Sequence, residues 1–241
     1  MRFIIILLFA FMVSSCDSAK QLIDSTLGGT STYKPSNSEV ISGLKEALKR
    51  GTTSGSDVLA KVNGYFENPS VKIFFPDELK NAESKLRDIG LGSLADNIIL
   101  SFNRAAESAA SEAKPIFINA ITQMTVGDAM NILLGPDDAA TQYLKKTTSD
   151  KLYSKFKPVI DNHLNKVGAT KYWSEAVTKY NSIPFTNNKL PKDVSDYVAN
   201  EAMDGLFFMI EKEEARIRQD PLTRTTQILK KVFGYADEQK G

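Results

Sequence analysis

A chain of 241 residues with 42% apolar and 24% charged side chains has the make-up of an ordinary globular protein, which excludes the disordered, collagen-like and coiled-coil classes. Lys and Arg number 30 against 29 Asp and Glu, and loss of Arg2 with a leader makes them equal, so no excess of cations exists to bind nucleic acid through a broad basic face. His163 and Cys16 are the only residues of their kinds, too few for thiolate–imidazole zinc sites, a Cys–His nucleophilic pair or a disulfide. No metal or cofactor is expected; a Ser-His-Asp arrangement through His163 and carboxylate chemistry survive the count.

Arg2 supplies a positive charge, Phe3 to Val13 form a continuous apolar run, and Ser14 and Ser15 are small residues placed where a peptidase cuts. As a helix this run spans only about 16 Å, roughly half of a bilayer's hydrocarbon core, so residues 1–15 are expected to be a signal peptide and not a membrane span. Val13-Ser14-Ser15-Cys16 resembles the bacterial lipobox, which implies cleavage before Cys16 and acylation of its sulfur and new amino group. Two or three acyl chains such as palmitate anchor stably where one does not. Asp17 resembles an inner-membrane retention signal whose rule varies between bacterial groups, so inner and outer membrane both stay open. Residues 16–37 are rich in Ser, Thr, Gly and Lys and read as a flexible tether with a reach of roughly 25 Å.

From Ser38 the periodicity is helical. Ser36 with Glu39 forms a capping box ahead of Val40, Ile41, Leu44 and Leu48, and Gly51 is expected to close that helix. Val71 to Phe75, between Pro69 and Pro76, reads as an extended connector without a partner strand. Pro76, Asp77 and Glu78 open a helix that runs to Gly90, and the next covers Ser93 to Lys114. Thr125 with Asp128 caps a short helix ended by Gly135-Pro136, and Asp137 or Asp138 starts a run through Leu144. Further helices are expected over Ser149 to Val167, Thr170 to Tyr180 and Lys192 to Arg218. Asp220-Pro221 opens the last, with Leu222, Leu229, Val232 and Phe233 as its apolar stripe before Gly234. The expected fold is all-α: one irregular bundle of about eight or nine helices over residues 38–234, followed by a tail at 235–241.

On the helix from Ser93, residues Leu94, Ile98, Phe102, Ala105 and Ala109 share one face, with Asp96, Asn103, Glu107 and Ser111 opposite. If neighbours cover both sides, Asn103, Arg104 and Glu107 become a buried polar cluster that must satisfy itself or hold a ligand.

The runs Leu91 to Asp96, Ser101 to Glu107, Glu112 to Phe117, Asp138 to Thr141, and Asp220-Pro221 with Arg224-Thr225-Thr226 are similar to a bacterial family labelled domain of unknown function 4197. The resemblance covers about Ser38 to Gly234 and implies a secreted or lipid-anchored envelope protein, with no activity attached to the label. Its runs contain Asn103, Arg104, Glu107, Lys114, Thr141, Arg224 and Thr225, the candidate polar or ligand-binding positions.

His163 lies on a helix beside Lys157 and Lys166, without a serine or acid placed to complete a triad. Glu211, Glu213 and Glu214 precede Arg216 and Arg218 at spacings that suit exposed intrahelical ion pairs. Asp137-Asp138 lacks the alternating oxygen ligands of a calcium loop and reads as a helix cap. Tyr172, Trp173, Phe207, Phe208 and Met209 read as core or as the lining of an apolar cavity. The leading expectation is a non-enzymatic, periplasm-facing protein held to the membrane by its acyl anchor, binding an envelope protein or a small apolar ligand. The alternative is a hydrolase of envelope glycan or lipid, using Glu107 with Asp96 or Glu112 as acid and base.

Overall fold

Two compact units divide the chain, Met1–Lys34 and Pro35–Gly241. The computed structural model describes residues 33–88, 90, 92–182 and 193–240, so the leader, Cys16 and nearly all of the expected tether lie outside the described residues. The second unit is all-α, as expected, with nine α-helices among its described residues. They are α1 (Asn37–Leu59), α2 (Lys80–Asp88), α3 (Gly92–Ala110), α4 (Ala113–Gln123), α5 (Val126–Leu133), α6 (Ala139–Lys166), α7 (Ala169–Asn181), α8 (Val194–Gln219) and α9 (Gln227–Lys240).

The two long helices, α6 and α8, pack along each other; α3 lies on α6, and α1 lies on α8 while also touching α4, α5 and α9. Trp173, Tyr65, Phe102, Phe117 and Phe156 are fully buried between them. Phe102 meets Trp173 edge-on at 5.9 Å, and Tyr197 stacks on the same indole at 6.2 Å. Phe207 belongs to this core, whereas Phe208 and Tyr172 are exposed.

Capping chemistry sets several helix starts. Ser36 and Glu39 make the expected reciprocal box, as do Thr125 and Asp128. Val71 to Phe75 is an extended connector, with Val71, Ile73 and Phe75 buried and Phe74 turned outward.

Several expected boundaries move. Gly51 does not end α1, because an ideal Cβ there would stand 3.3 Å from Glu213 Cγ: this glycine admits α8 at close range instead of turning the chain. The helix expected from Ser93 to Lys114 breaks at Ser111–Glu112, since Pro115 has no N–H for Ser111 and its ring would strike that carbonyl in a continuous helix. The two helices expected before and after Ser149 are one, α6. Thr147, Thr148 and Ser149 donate their hydroxyls to the carbonyls of Tyr143, Leu144 and Lys145 and remain inside the spiral. Asp220 caps only a 3₁₀ turn, Pro221–Thr223, whose Leu222 is 90% exposed and takes no part in an apolar stripe. The last helix begins at Gln227 and continues through Gly234 to Lys240, so helix replaces most of the expected tail.

Candidate functional site

The face of α3 that carries Asn103 and Glu107 is covered by the segment between α1 and α2, and the two side chains are fixed to that segment's backbone. Asn103, fully buried, accepts from the N–H of Ile73 at 2.9 Å and donates to the Ile73 carbonyl at 2.8 Å, with a second donation to Ile99 O. One turn later Glu107 Oε1 accepts from the N–H groups of Tyr65 and Phe66, both at 3.2 Å, and Oε2 accepts from Arg104 at 2.6 Å. Arg104 also donates to Asn63 Oδ1 at 2.6 Å, and Asn63 stands at φ 71°, a left-handed turn that asparagine tolerates. The next residue, Gly64, allows that turn to close, since a Cβ would lie 2.4 Å from Val58 O. Tyr65 completes the arrangement by donating its hydroxyl to Ala202 O at 2.7 Å; burial, with the charge of Glu107 nearby, pushes this hydroxyl's pKa up. The polar cluster therefore satisfies itself.

Thr141 belongs to a separate cluster. Glu214 reaches from α8 to the start of α6, where its carboxylate accepts from Ala140 N, Thr141 N and the Thr141 hydroxyl at 2.8–2.9 Å. Asp138 makes no side-chain cap for α6, so Glu214 caps the helix from another element. Arg218, one turn on, pairs with Glu214 at 2.9 Å and donates to Ile132 O and Leu133 O at the end of α5. Both side chains are 7% exposed, a correction to the solvated face expected of Glu214 and Arg218. Glu213 and Arg216 do form the ion pair expected from their spacing, with Arg216 exposed and Glu213 half-buried against Gly51.

Arg224 is buried and donates to Ile217 O and Arg218 O, ending α8, while Asp237 of α9 accepts its remaining N–H groups. Thr225 accepts from Arg50 of α1. Lys114 pairs with Asp57 at 3.2 Å on the surface. The seven candidate residues thus occupy several places, where they join helix ends and loops, and they converge on no common cleft.

Cavity geometry is consistent with that division. The apolar hollow between α1, α5, α6, α8 and α9 is about 30 Å³, about the volume of one water molecule, with Glu214 and Arg218 at its edge. Asp96 bonds Arg87 at 2.8 Å on the surface and Glu112 is exposed, so neither is set in a cleft with Glu107 as the acid–base alternative requires. His163 is half-buried, and burial together with Lys166 and Arg104 lowers its pKa. Among the described residues no three His, Cys, Asp or Glu side chains are grouped to hold a metal ion, and no helix is long and apolar enough to cross a membrane.

The sequence singles out neither Asn63 nor Tyr65, and it names Glu214 and Arg218 only as part of an exposed ion-paired face. Glu214 had a signal: it stands between Ile210 and Ile217 at core-facing spacing. Asn63 and Tyr65 had none, since they act through a loop whose partner helix is about forty residues away.

No curated protein and no solved structure matches this chain. A family model does, over residues 34–234, from the turn before α1 to the middle of α9, and the chain therefore belongs to the family described as Protein of unknown function (DUF4197).

Proposed function

We propose that this is a lipid-anchored protein of the bacterial cell envelope, a helical body of non-catalytic role held on the periplasmic side of a membrane by acyl chains on Cys16, where it engages an envelope partner protein. The observation that carries the non-catalytic part is the bonding of the candidate residues. Asn103, Glu107 and Arg224 direct their polar atoms to backbone groups or to an ion-pair partner inside the fold, and Thr141 donates its hydroxyl to the Glu214 carboxylate. A general acid or nucleophile needs an atom left over for substrate.

Among the described residues the apolar hollow beside Glu214 and Arg218, at about 30 Å³, is well below the roughly 300 Å³ of a small-molecule site, so it is not the place for an apolar ligand. The anchor rests on the leader, the small residues before Cys16 and the uniqueness of that cysteine.

The experiment is mass spectrometry of the protein isolated from its own membranes, beside the Cys16→Ser variant. The expected result is an N-terminal peptide starting at Cys16 with added acyl mass, and a variant lacking that mass. An unmodified N-terminus with the leader intact overturns the reading.

A further inference from the structure

Among the described residues Asn63, at φ 71°, is the one non-glycine residue of positive φ. Gly64 follows it in a turn so close that a Cβ would lie 2.4 Å from Val58 O and 2.6 Å from Leu59 O. The turn between α1 and α2 therefore favours asparagine followed by glycine on steric grounds alone. The same pair is the dipeptide that cyclises most readily, because glycine sets no side chain between its own nitrogen and the preceding amide carbon. Nowhere else in the chain does glycine follow asparagine.

The fold engages every group that would react. Asn63 Oδ1 accepts from Arg104 at 2.6 Å and Nδ2 donates to Glu67 at 2.6 Å, the orientation that gives each amide atom a compatible partner. The Gly64 N–H donates to Lys61 O at 2.9 Å. Tyr65 and Phe66 give their N–H groups to Glu107, and Glu67 gives its own to Asn63 O at 3.2 Å. Nucleophile and electrophile are thus both tied, and Glu107 fastens the loop to α3.

We propose that Asn63–Gly64 is a modification site gated by the fold, closed while Arg104 and Glu67 hold the Asn63 amide and reactive when this loop opens. The Gly64 nitrogen gives up its proton and attacks Asn63 Cγ; the Cγ–Nδ2 bond breaks, and Nδ2 leaves with that proton as ammonia. Water then opens the five-membered imide at either carbonyl, returning a proton to the Gly64 nitrogen and leaving aspartate or isoaspartate. Aspartate keeps an acceptor for Arg104 but sets a carboxylate against Glu67, which loses its donor. Isoaspartate lengthens the main chain by one carbon in a turn without room for a Cβ on Gly64. That loop does not re-form, and Glu107 loses the Tyr65 and Phe66 N–H groups. A chain that has stayed open here long enough to react is marked and kept from closing.

The test incubates the full chain in mildly alkaline buffer, with and without guanidinium chloride, and follows Asn63 by peptide mass spectrometry as amide becomes acid. Chromatography separates the aspartate and isoaspartate peptides. The denatured chain is expected to convert Asn63 at least about tenfold faster than the folded one, the factor set by about 1.4 kcal/mol of local opening. Asn97, exposed but followed by the bulky Ile98, is the slow reference in denaturant. Glu67→Ala removes an exposed partner of the Asn63 amide and nothing from the core. It is expected to raise the folded-state rate about threefold to fivefold at an unchanged melting temperature. Arg104→Met is expected to raise it further; where that variant does not fold, Glu67→Ala decides alone. Equal rates in folded and denatured chain, no conversion in denaturant, or a Glu67→Ala rate equal to the unmodified sequence each overturn the proposal. A rise in Glu67→Ala that only tracks a lowered melting temperature does the same. Isoaspartate chains that regain slow amide exchange at Tyr65 and Phe66 after the denaturant is removed overturn the barrier to closing.

Discussion

The Asn103 side chain does for Ile73 what a neighbouring β-strand would do, taking its N–H at 2.9 Å and giving to its carbonyl at 2.8 Å. The connector from Val71 to Phe75 is extended and has no ladder partner, so one amide on α3 stands in for a strand. Replacing it with an apolar residue of similar volume leaves two buried backbone groups unpaired. Asn103→Leu is expected to cost about 3 kcal/mol, at about 1–3 kcal/mol per unsatisfied group, measured by urea denaturation. A loss below about 1 kcal/mol would show that the connector bonds elsewhere.

Glu107→Gln keeps one acceptor for Tyr65 and Phe66 but sets an amide opposite Arg104, which loses its charged partner. The expected destabilisation is about 2 kcal/mol with no hydrolytic activity lost. Loss of a measurable hydrolysis with an unchanged melting curve would contradict the structural role.

Removing the carboxylate of Glu214 leaves Arg218 buried without its anion and the first amides of α6 without acceptors. Glu214→Ala is expected to cost about 3–5 kcal/mol, the range for breaking a buried pair, and to speed amide exchange at Ala140 and Thr141. Thr141→Val, which removes one hydroxyl bond, is expected to cost about 1 kcal/mol.

Two glycines separate packing from propensity. Gly55 on α1 would place a Cβ at an ordinary 3.5 Å from Met209, so Gly55→Ala is expected to stabilise by about 0.5–1 kcal/mol. Gly205 on α8 would place one 2.9 Å from Tyr65 and 3.1 Å from Val71, and Gly205→Ala is expected to destabilise by about 1–3 kcal/mol through overpacking. Thermal melts with the same sign for both would refute the packing assigned to Gly205.

His163 has its pKa lowered by burial first, then by Lys166 and Arg104, with Glu107 opposing. A histidine with a depressed folded value holds fewer protons folded than unfolded, so its contribution is present above the unfolded value of about 6.5 and is lost as pH falls from there through the folded value. His163→Gln is expected to flatten that part of the stability–pH curve. Glu201 has the opposite sign: burial, then Asp204 and Asp77, raise its pKa, so the fold gains stability as pH falls through that value. Glu201→Gln is expected to stabilise the protein at neutral pH, with the gain vanishing in acid. NMR titration of His163 above its ordinary value would reverse the first expectation.

Helix class, capping boxes and the unpaired connector were legible because each depends on residues within a few positions: Ser36 with Glu39, Thr125 with Asp128, and Pro69 and Pro76 around Val71 to Phe75. Asn103 and Glu107 stood out as polar groups on a helix broadly apolar elsewhere, and they are buried and bonded. What escaped was set by distant partners. Gly51 has the local form of a helix stop, but it lies inside α1 with Glu213 of α8 packed against it. Leu222 has the spacing of a stripe residue, but the 3₁₀ turn ends before the stripe begins. Glu214 and Arg218 look like surface ion pairing until α5 and α6 present their ends to them.

Helix α8 gives α6 its first acceptor through Glu214 and gives α5 its last donor through Arg218, while α9 holds Asp237 for the arginine that finishes α8. A chain missing these two helices has helix ends in its middle third that bond only to water and a central groove without its filler. The ends of α5 and α6 find their protein partners only once α8 is in place.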